Sequence, residues 1–235
     1  MTADRPDRAT RRFETRTLVA FVAAVLFAVL LVLVRSSSPA LVRLDRSSTN
    51  HLHRFALAHS GFSSAMRIVS DCGSALAWWL ILAPVLAWLL YRRRARLAVF
   101  VVVTAAGSSL LNGLIKFLVG RSRPHLLDPV AVAAGKSFPS GHSQAAIVGY
   151  GILVAIFVPV LARRWRPWLV ALAALLVLLI GFSRIALGVH YLSDVIGAYL
   201  IGTVWLIGML AAFAAWRRDE AKPAPRVRPR RRPVD

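Results

Sequence analysis

Six apolar runs, each close to the thickness of a bilayer, constrain this chain more than anything else in it. They cover 18–34, 75–91, 97–119, 144–161, 168–182 (extending to 186) and 195–216. A helix needs about 20 apolar residues to cross the hydrocarbon core, and an α-helix keeps all its backbone hydrogen bonds within one segment there. Hydrophobic residues make up 57% of the sequence and mean hydropathy is +0.62, too apolar for an ordinary soluble domain. The expected fold is all-α: a polytopic membrane protein with six transmembrane helices. The run at 18–34 follows basic residues and precedes Ser38-Pro39-Ala40, as a secretory signal would. Its 17 residues exceed the usual core of about 7–15, so it reads as an uncleaved first span.

The charge is placed as a membrane protein places it. The formal net charge is +20, yet the basic residues lie between and beyond the apolar runs. Residues 1–17, 92–96, 163–166 and 217–235 hold 5, 4, 3 and 8 of them. Six spans bring these four segments to one side, the cytoplasmic side by the positive-inside rule. Both termini are then cytoplasmic. The polar segments 120–143 and 183–194 share the extracytoplasmic face. No basic stripe with stacking aromatics lies on a soluble element, which argues against nucleic acid. The single cysteine, Cys72, excludes an internal disulfide. The chain divides into a basic cytoplasmic tail (1–17), a six-span domain (18–216) and a disordered basic cytoplasmic tail (217–235).

Within the spans, Pro84 is expected to kink the second. Trp78, Trp79, Trp88 and Tyr91 read as interfacial aromatics. Thr104, Gly107, Ser108, Ser109, Asn112 and Gly113 give the third span a polar, small-residue packing face. Between spans one and two, Leu52, Phe55, Ala56, His59, Phe62, Met66 and Val69 recur at helical spacing, so an interfacial helix is expected in 35–74. His51, His53 and His59 fall there without a zinc-type pattern and read as surface histidines.

Three clusters reach the extracytoplasmic face. They are Lys116 with Arg123-Pro124; Pro139-Ser140-Gly141-His142; and Ser183-Arg184, His190 and Asp194. Ionisable groups at a membrane edge are costly and point to function. His190 and Asp194 are four apart and share a helix face, so the carboxylate can bind one imidazole nitrogen and leave the other as a directed lone pair. The same spacing also suits an interfacial histidine beside a capping Asp. Lys116, Arg123 and Arg184 bring fixed positive charge suited to a phosphate. The backbone at Ser140 and Gly141 opens a span and can hold phosphate oxygens, while serving equally as a helix cap. Arg121 reads as a snorkelling or headgroup contact. Asp128, the only acid in that loop, reads as solvated, and His125 is a secondary candidate.

With these motifs, the chain resembles the type 2 phosphatidic acid phosphatase family, which includes lipid phosphate phosphatases and undecaprenyl-diphosphatase-like membrane proteins. The resemblance implies that His190 attacks phosphorus, Asp194 orients it, and His142 serves as acid and then base. It implies that Lys116, Arg123, Ser140, Gly141 and Arg184 bind the phosphate. No cofactor and no metal are expected, since no paired carboxylates accompany the motifs. The expected partners are a lipid phosphate substrate and membrane lipids. Polyprenyl (undecaprenyl or decaprenyl) diphosphate ranks first as substrate. The alternatives are a phosphatidic acid or phosphatidylglycerophosphate phosphatase, a lipid phosphotransferase, a vanadate-dependent peroxidase, and a non-catalytic protein that binds or transports lipid phosphates.

Overall fold

A computed structural model describes residues 8–126 and 130–220. Its regular structure is helical throughout: α1 (Arg8–Arg35), α2 (Pro39–Ala58), α3 (Ser60–Asp71), α4 (Ala75–Tyr91), α5 (Ala95–Val119), α6 (Gly141–Phe157), α7 (Arg166–Ala186) and α8 (Leu192–Glu220), with a 3₁₀ turn at Arg163–Trp165. Asp128 and residues 221–235 of the basic tail lie outside the described residues. Residues 217–220, expected in that tail, continue α8 instead.

The apolar runs do not become six equal spans. By length and composition, four helices can cross a membrane: Glu14–Arg35, Ala95–Val119, Arg163–Ala186 and Leu192–Trp216. Helices α3 and α4 reach that standard only together, across a bend of 43°. The bend falls at residues 72–74, where Gly73 N donates to Ser70 O and Ser74 caps α4 by accepting from Ala77 N at 3.2 Å. Pro84, expected to kink the span, stands inside the unbroken α4. Helix α6 is apolar but has only 17 residues.

Helix α6 is the centre of the bundle and packs on α5, α7 and α8. Lipid tails are as apolar as leucine, so helix association in a membrane depends on close packing and interhelical hydrogen bonds. Both are present. Leu89, Val101 and Ile152 are fully buried where α4, α5 and α6 meet. A Cβ on Gly149 would fall 2.2 Å from the Trp78 ring, so only glycine admits the indole. Trp78 is therefore buried in the bundle, a correction to its expected interfacial place, whereas Trp79 and Tyr91 are exposed. On α5 the buried polar face is Thr104, Ser108 and Asn112, spaced one turn apart, while Ser109 and Gly113 turn outward. Gln144 of α6 donates to Ser108 O at 2.9 Å and accepts from Asn112 Nδ2 at 2.9 Å.

Helix α2 buries one stripe, Asp45, Thr49, His53 and Ala56, and packs against α7 and α8. His53 is thus a buried residue rather than a surface one, with its Nδ1 3.1 Å from where a Cβ on Gly188 would stand. His51 and His59 are exposed, as expected.

The connectivity collects four helix ends at one end of the bundle: the last turns of α5 and α7 and the first turns of α6 and α8. Arg35 Nη1 donates to Leu118 O at 2.7 Å and brings the end of α1 there too. The turns at 92–96 and 163–166 join the opposite ends. Gly149→Ala is expected to lower stability by about 1–3 kcal/mol, the usual scale for overpacking. Thermal unfolding in detergent checks this, and an unchanged midpoint would show that the indole can move aside.

Candidate active site

The turn between α7 and α8 is shaped by its hydrogen bonds. Gly188, at φ +73°, takes the left-handed conformation that ends α7, and its N–H reaches Ile185 O at 2.9 Å. The next two amides, of Val189 and His190, both donate to Arg184 O at 3.2 Å. The backbone of Arg184 and that of His190 are therefore locked together. His190 is 1% exposed and Asp194 is fully buried.

His190 Nδ1 lies 3.3 Å from Asp194 Oδ2 and so carries the proton that the carboxylate accepts. Its Nε2 faces the other way and accepts from Arg123 Nη1 at 3.1 Å. Burial, with help from the cations Arg123 and Arg184 and against the pull of Asp194, lowers the His190 pKa to about 4. At neutral pH this imidazole is uncharged, with a lone pair aimed at a guanidinium.

The remaining donors come from the other helix ends. Gly120, left-handed at φ +67°, terminates α5 just past Lys116. Lys116 Nζ lies 3.4 Å from where a Cβ on Gly141 would stand, so the glycine keeps that approach open. Ser140 caps α6, accepting from Ser143 N, and its own N–H donates to Asp194 O at 3.0 Å. That bond ties the start of α6 to the first turn of α8. His142 sits in the first turn of α6, within electrostatic reach of Arg184, His190, Lys116 and Arg123. Arg184 donates to Ser70 Oγ of α3, while its buried Nε has no partner among the described residues. Arg123 is braced by the carbonyls of Ala134, Gly135 and Val189 at 2.8–3.0 Å. All eight residues expected from the sequence thus lie at one end of the bundle.

Several residues here were not foreseen. Ser137 Oγ donates to Asp194 Oδ2, which also accepts from Tyr191 N at 2.9 Å. Arg121, expected to snorkel, instead reaches inward. Its Nη1 donates to Asp194 Oδ1 and its Nη2 to Asp45 Oδ2, both at 2.7 Å. Ser137 stands two residues before the Pro-Ser-Gly-His motif, and Asp45 is an acid in a basic segment; those were the only available signals. His125 is exposed and lines a cavity of about 510 Å³ on the outer side of Arg123, together with Lys136 and Gly188.

A family model described as the PAP2 superfamily matches residues 96–218. The chain belongs to the PAP2 superfamily. This PAP2 protein is 34% identical to a phosphatidylglycerophosphatase B of Bacillus subtilis over 96 residues, 40% of this chain and 46% of that one. It is 27% identical to an undecaprenyl-diphosphatase of Sulfolobus acidocaldarius over 147 residues, 60% of this chain and 65% of that one. The matched stretches thus span about half to two thirds of those relatives. The fold resembles the crystal structure of a transmembrane PAP2 type phosphatidylglycerolphosphate phosphatase from Bacillus subtilis, with TM-score 0.76 and 20% identity, covering 86% of this chain and 97% of that one.

A lowered pKa favours the neutral base, so the His190 imidazole of this PAP2 protein is expected to stay unprotonated as pH falls through 6.5 and to take its proton near pH 4. NMR titration of histidine-labelled protein, with the resonance assigned by His190→Gln, measures this. A midpoint at 6 or above would contradict the buried environment described here.

Proposed function

We propose that this PAP2 protein is an integral-membrane, metal-independent phosphatase of lipid phosphates that works through a phosphohistidine on His190. The observation that carries the reading is the His190 ring, held at Nδ1 by Asp194 with Nε2 directed at Arg123. An imidazole so oriented is a nucleophile, and a guanidinium beside its lone pair binds the phosphoryl oxygens that bring phosphorus within reach. Lys116, Arg184, with its unpartnered Nε, and the Ser140–Gly141 backbone supply further donors. Charge stabilisation by fixed cations is the main protein contribution to phosphoryl transfer. In the first step Nε2 bonds to phosphorus, the bond to the leaving oxygen breaks, and His142 protonates that oxygen. In the second, His142 takes a proton from water, the hydroxide attacks phosphorus, and the P–N bond breaks to release phosphate.

The substrate we favour is a polyprenyl diphosphate. Two things support it: the relative named as an undecaprenyl-diphosphatase, and the extracytoplasmic position that the positive-inside rule favours for the site. The arginine-rich turns at 92–96 and 163–166 join the helix ends opposite the site; with α1, α4 (entered through the bend from α3), α5, α6, α7 and α8 taken as six spans, the positive-inside rule favours a site outside and both termini inside. The second reading is a phosphatidylglycerophosphate phosphatase, favoured by the names of the first relative and the solved structure.

Purified protein in detergent, given lipid mono- and diphosphates in EDTA, is expected to release phosphate, fastest from the polyprenyl diphosphate. His190→Ala is expected to reduce release to background, whereas His142→Ala accumulates a phosphorylated enzyme. Loss of activity in EDTA with recovery in Mg²⁺, or acid-labile phosphate trapped elsewhere than on His190, would overturn the mechanism. In a Cys72→Ser background, cysteines at 130–136 are expected to label from outside intact cells and cysteines at 92–96 not to. The reverse pattern would invert the topology.

A further inference from the structure

Behind the His190–Asp194 pair lies a second ion pair that none of the three motifs contains. Arg121 spans two carboxylates, Asp194 Oδ1 and Asp45 Oδ2, each at 2.7 Å. Asp45 is 1% exposed and comes from α2, which carries none of the three motifs. Its other oxygen accepts from Ser193 N at 2.9 Å, and Arg121 Nη1 also donates to Ser193 Oγ at 2.7 Å. The Arg121 guanidinium lies over the Tyr191 ring, 4.4 Å from its centroid. Arg121 and Asp45 thereby hold the segment next to His190 at three residues, Tyr191, Ser193 and Asp194.

From this geometry we propose that Arg121 and Asp45 are positioning residues that set the basicity and aim of His190 through Asp194. The proposal rests on the phosphatase reading above for its catalytic meaning. Its electrostatic core is independent of turnover. Asp194 holds its negative charge between two cations in prospect, Arg121 on Oδ1 and the imidazolium that His190 would become on Oδ2. The more tightly Arg121 draws on that carboxylate, the less it stabilises a protonated or phosphorylated ring. Asp45 competes for Arg121 and so loosens its hold on Asp194. Burial works against the charge on Arg121, and the two carboxylates outweigh it, so that its pKa is raised and the clamp is permanently cationic.

Opposite effects follow for the two ends of the clamp. The charged groups within reach of His190 are Asp194 on α8, Arg123 in the loop after α5, Arg184 on α7, His142 on α6 and, bearing on Asp194, Lys116 on α5. All remain in place in the variants below. Arg121→Gln removes a cation from Asp194, so the carboxylate pulls harder on the imidazole proton and the His190 titration moves up, by about one pH unit for a charge at this range. Asp45→Asn frees Arg121 for Asp194 alone, so the titration moves down or, at pH 4 and below, out of the measurable range. A residue that merely holds the fold together would move both the same way or neither.

The test is the His190 NMR titration on full-length protein in detergent for the unaltered chain, Asp45→Asn, Arg121→Gln, Arg121→Lys and the Asp45→Asn/Arg121→Gln pair. The double variant removes the carboxylate that Arg121→Gln would strand, and serves if the single variant does not fold. An upward shift in every variant lacking a cation at 121, with Arg121→Lys restoring the original midpoint, supports the proposal. Unchanged midpoints in the folded variants, or shifts of Arg121→Gln and Asp45→Asn in the same direction, overturn it. In turnover, Arg121→Gln is expected to lower kcat about 10- to 100-fold, the scale on which partners orient a ligating histidine from behind, with KM changed less than threefold. A rise in KM alone would make Arg121 a substrate contact and defeat the positioning role. If no lipid phosphate is hydrolysed by the unaltered chain, the function proposed above fails while the titration still decides the clamp.

Discussion

A single buried carboxylate, saturated with donors, holds the working end of this bundle together. Asp194 accepts from the His190 ring, the Ser137 hydroxyl, the Tyr191 amide and the Arg121 guanidinium, and its backbone carbonyl accepts from Ser140. Four donors converge on the carboxylate, three on Oδ2 and Arg121 on Oδ1. Stripping one partner from a buried charge costs about 3–5 kcal/mol, because the charge that remains cannot recover its water. Every partner is therefore also a constraint. The carboxylate fixes the loop after α5, the α7–α8 turn and, through Arg121, helix α2 relative to one another, and the backbone carbonyl of the same residue adds the start of α6.

That arrangement explains why a site can exist here at all. Positive charges repel, and Lys116, Arg123 and Arg184 have been drawn into one region with Arg121 beside them. Asp194 and Asp45 are the acids in contact with Arg121. Asp45 is spent on Arg121, and Asp194 is divided between Arg121 and the histidine. Lys116, Arg123 and Arg184 are left as a cluster of like charge at the same end of the bundle.

Much of the fold could be read from the sequence, but at a definite resolution. Hydropathy located the apolar segments because burial in lipid demands composition, and composition is local. It could not say how each helix is rotated, which is why Trp78 and His53 were expected outside and lie within. Nor could it distinguish a helix that spans alone from α4, which continues the direction of α3 after a bend. The motif residues were visible because each cluster combines charge, glycine and proline where apolar sequence should continue. Asp45 was invisible as a site residue because its partners, Arg121 and Ser193, lie 76 and 148 positions away and no periodicity links them. Arg121 was misread for a physical reason: an arginine just past a glycine-terminated span has water and headgroups within reach, and only a carboxylate from another helix makes the inward route the better one.

The placement of the helix ends also divides the machinery in two. The hairpin of α5 and α6 carries Lys116, Arg123 in its loop and His142; the hairpin of α7 and α8 carries Arg184, His190 and Asp194. The strand of backbone that joins them, at 158–165, runs along the far end and touches none of these groups. Each half thus carries only part of the cluster, and His190 and Asp194 meet Lys116, Arg123 and His142 only when the two hairpins pack together. Docking and completion of the cluster are therefore one event: a nascent or severed half lacks the side chains that only its counterpart brings.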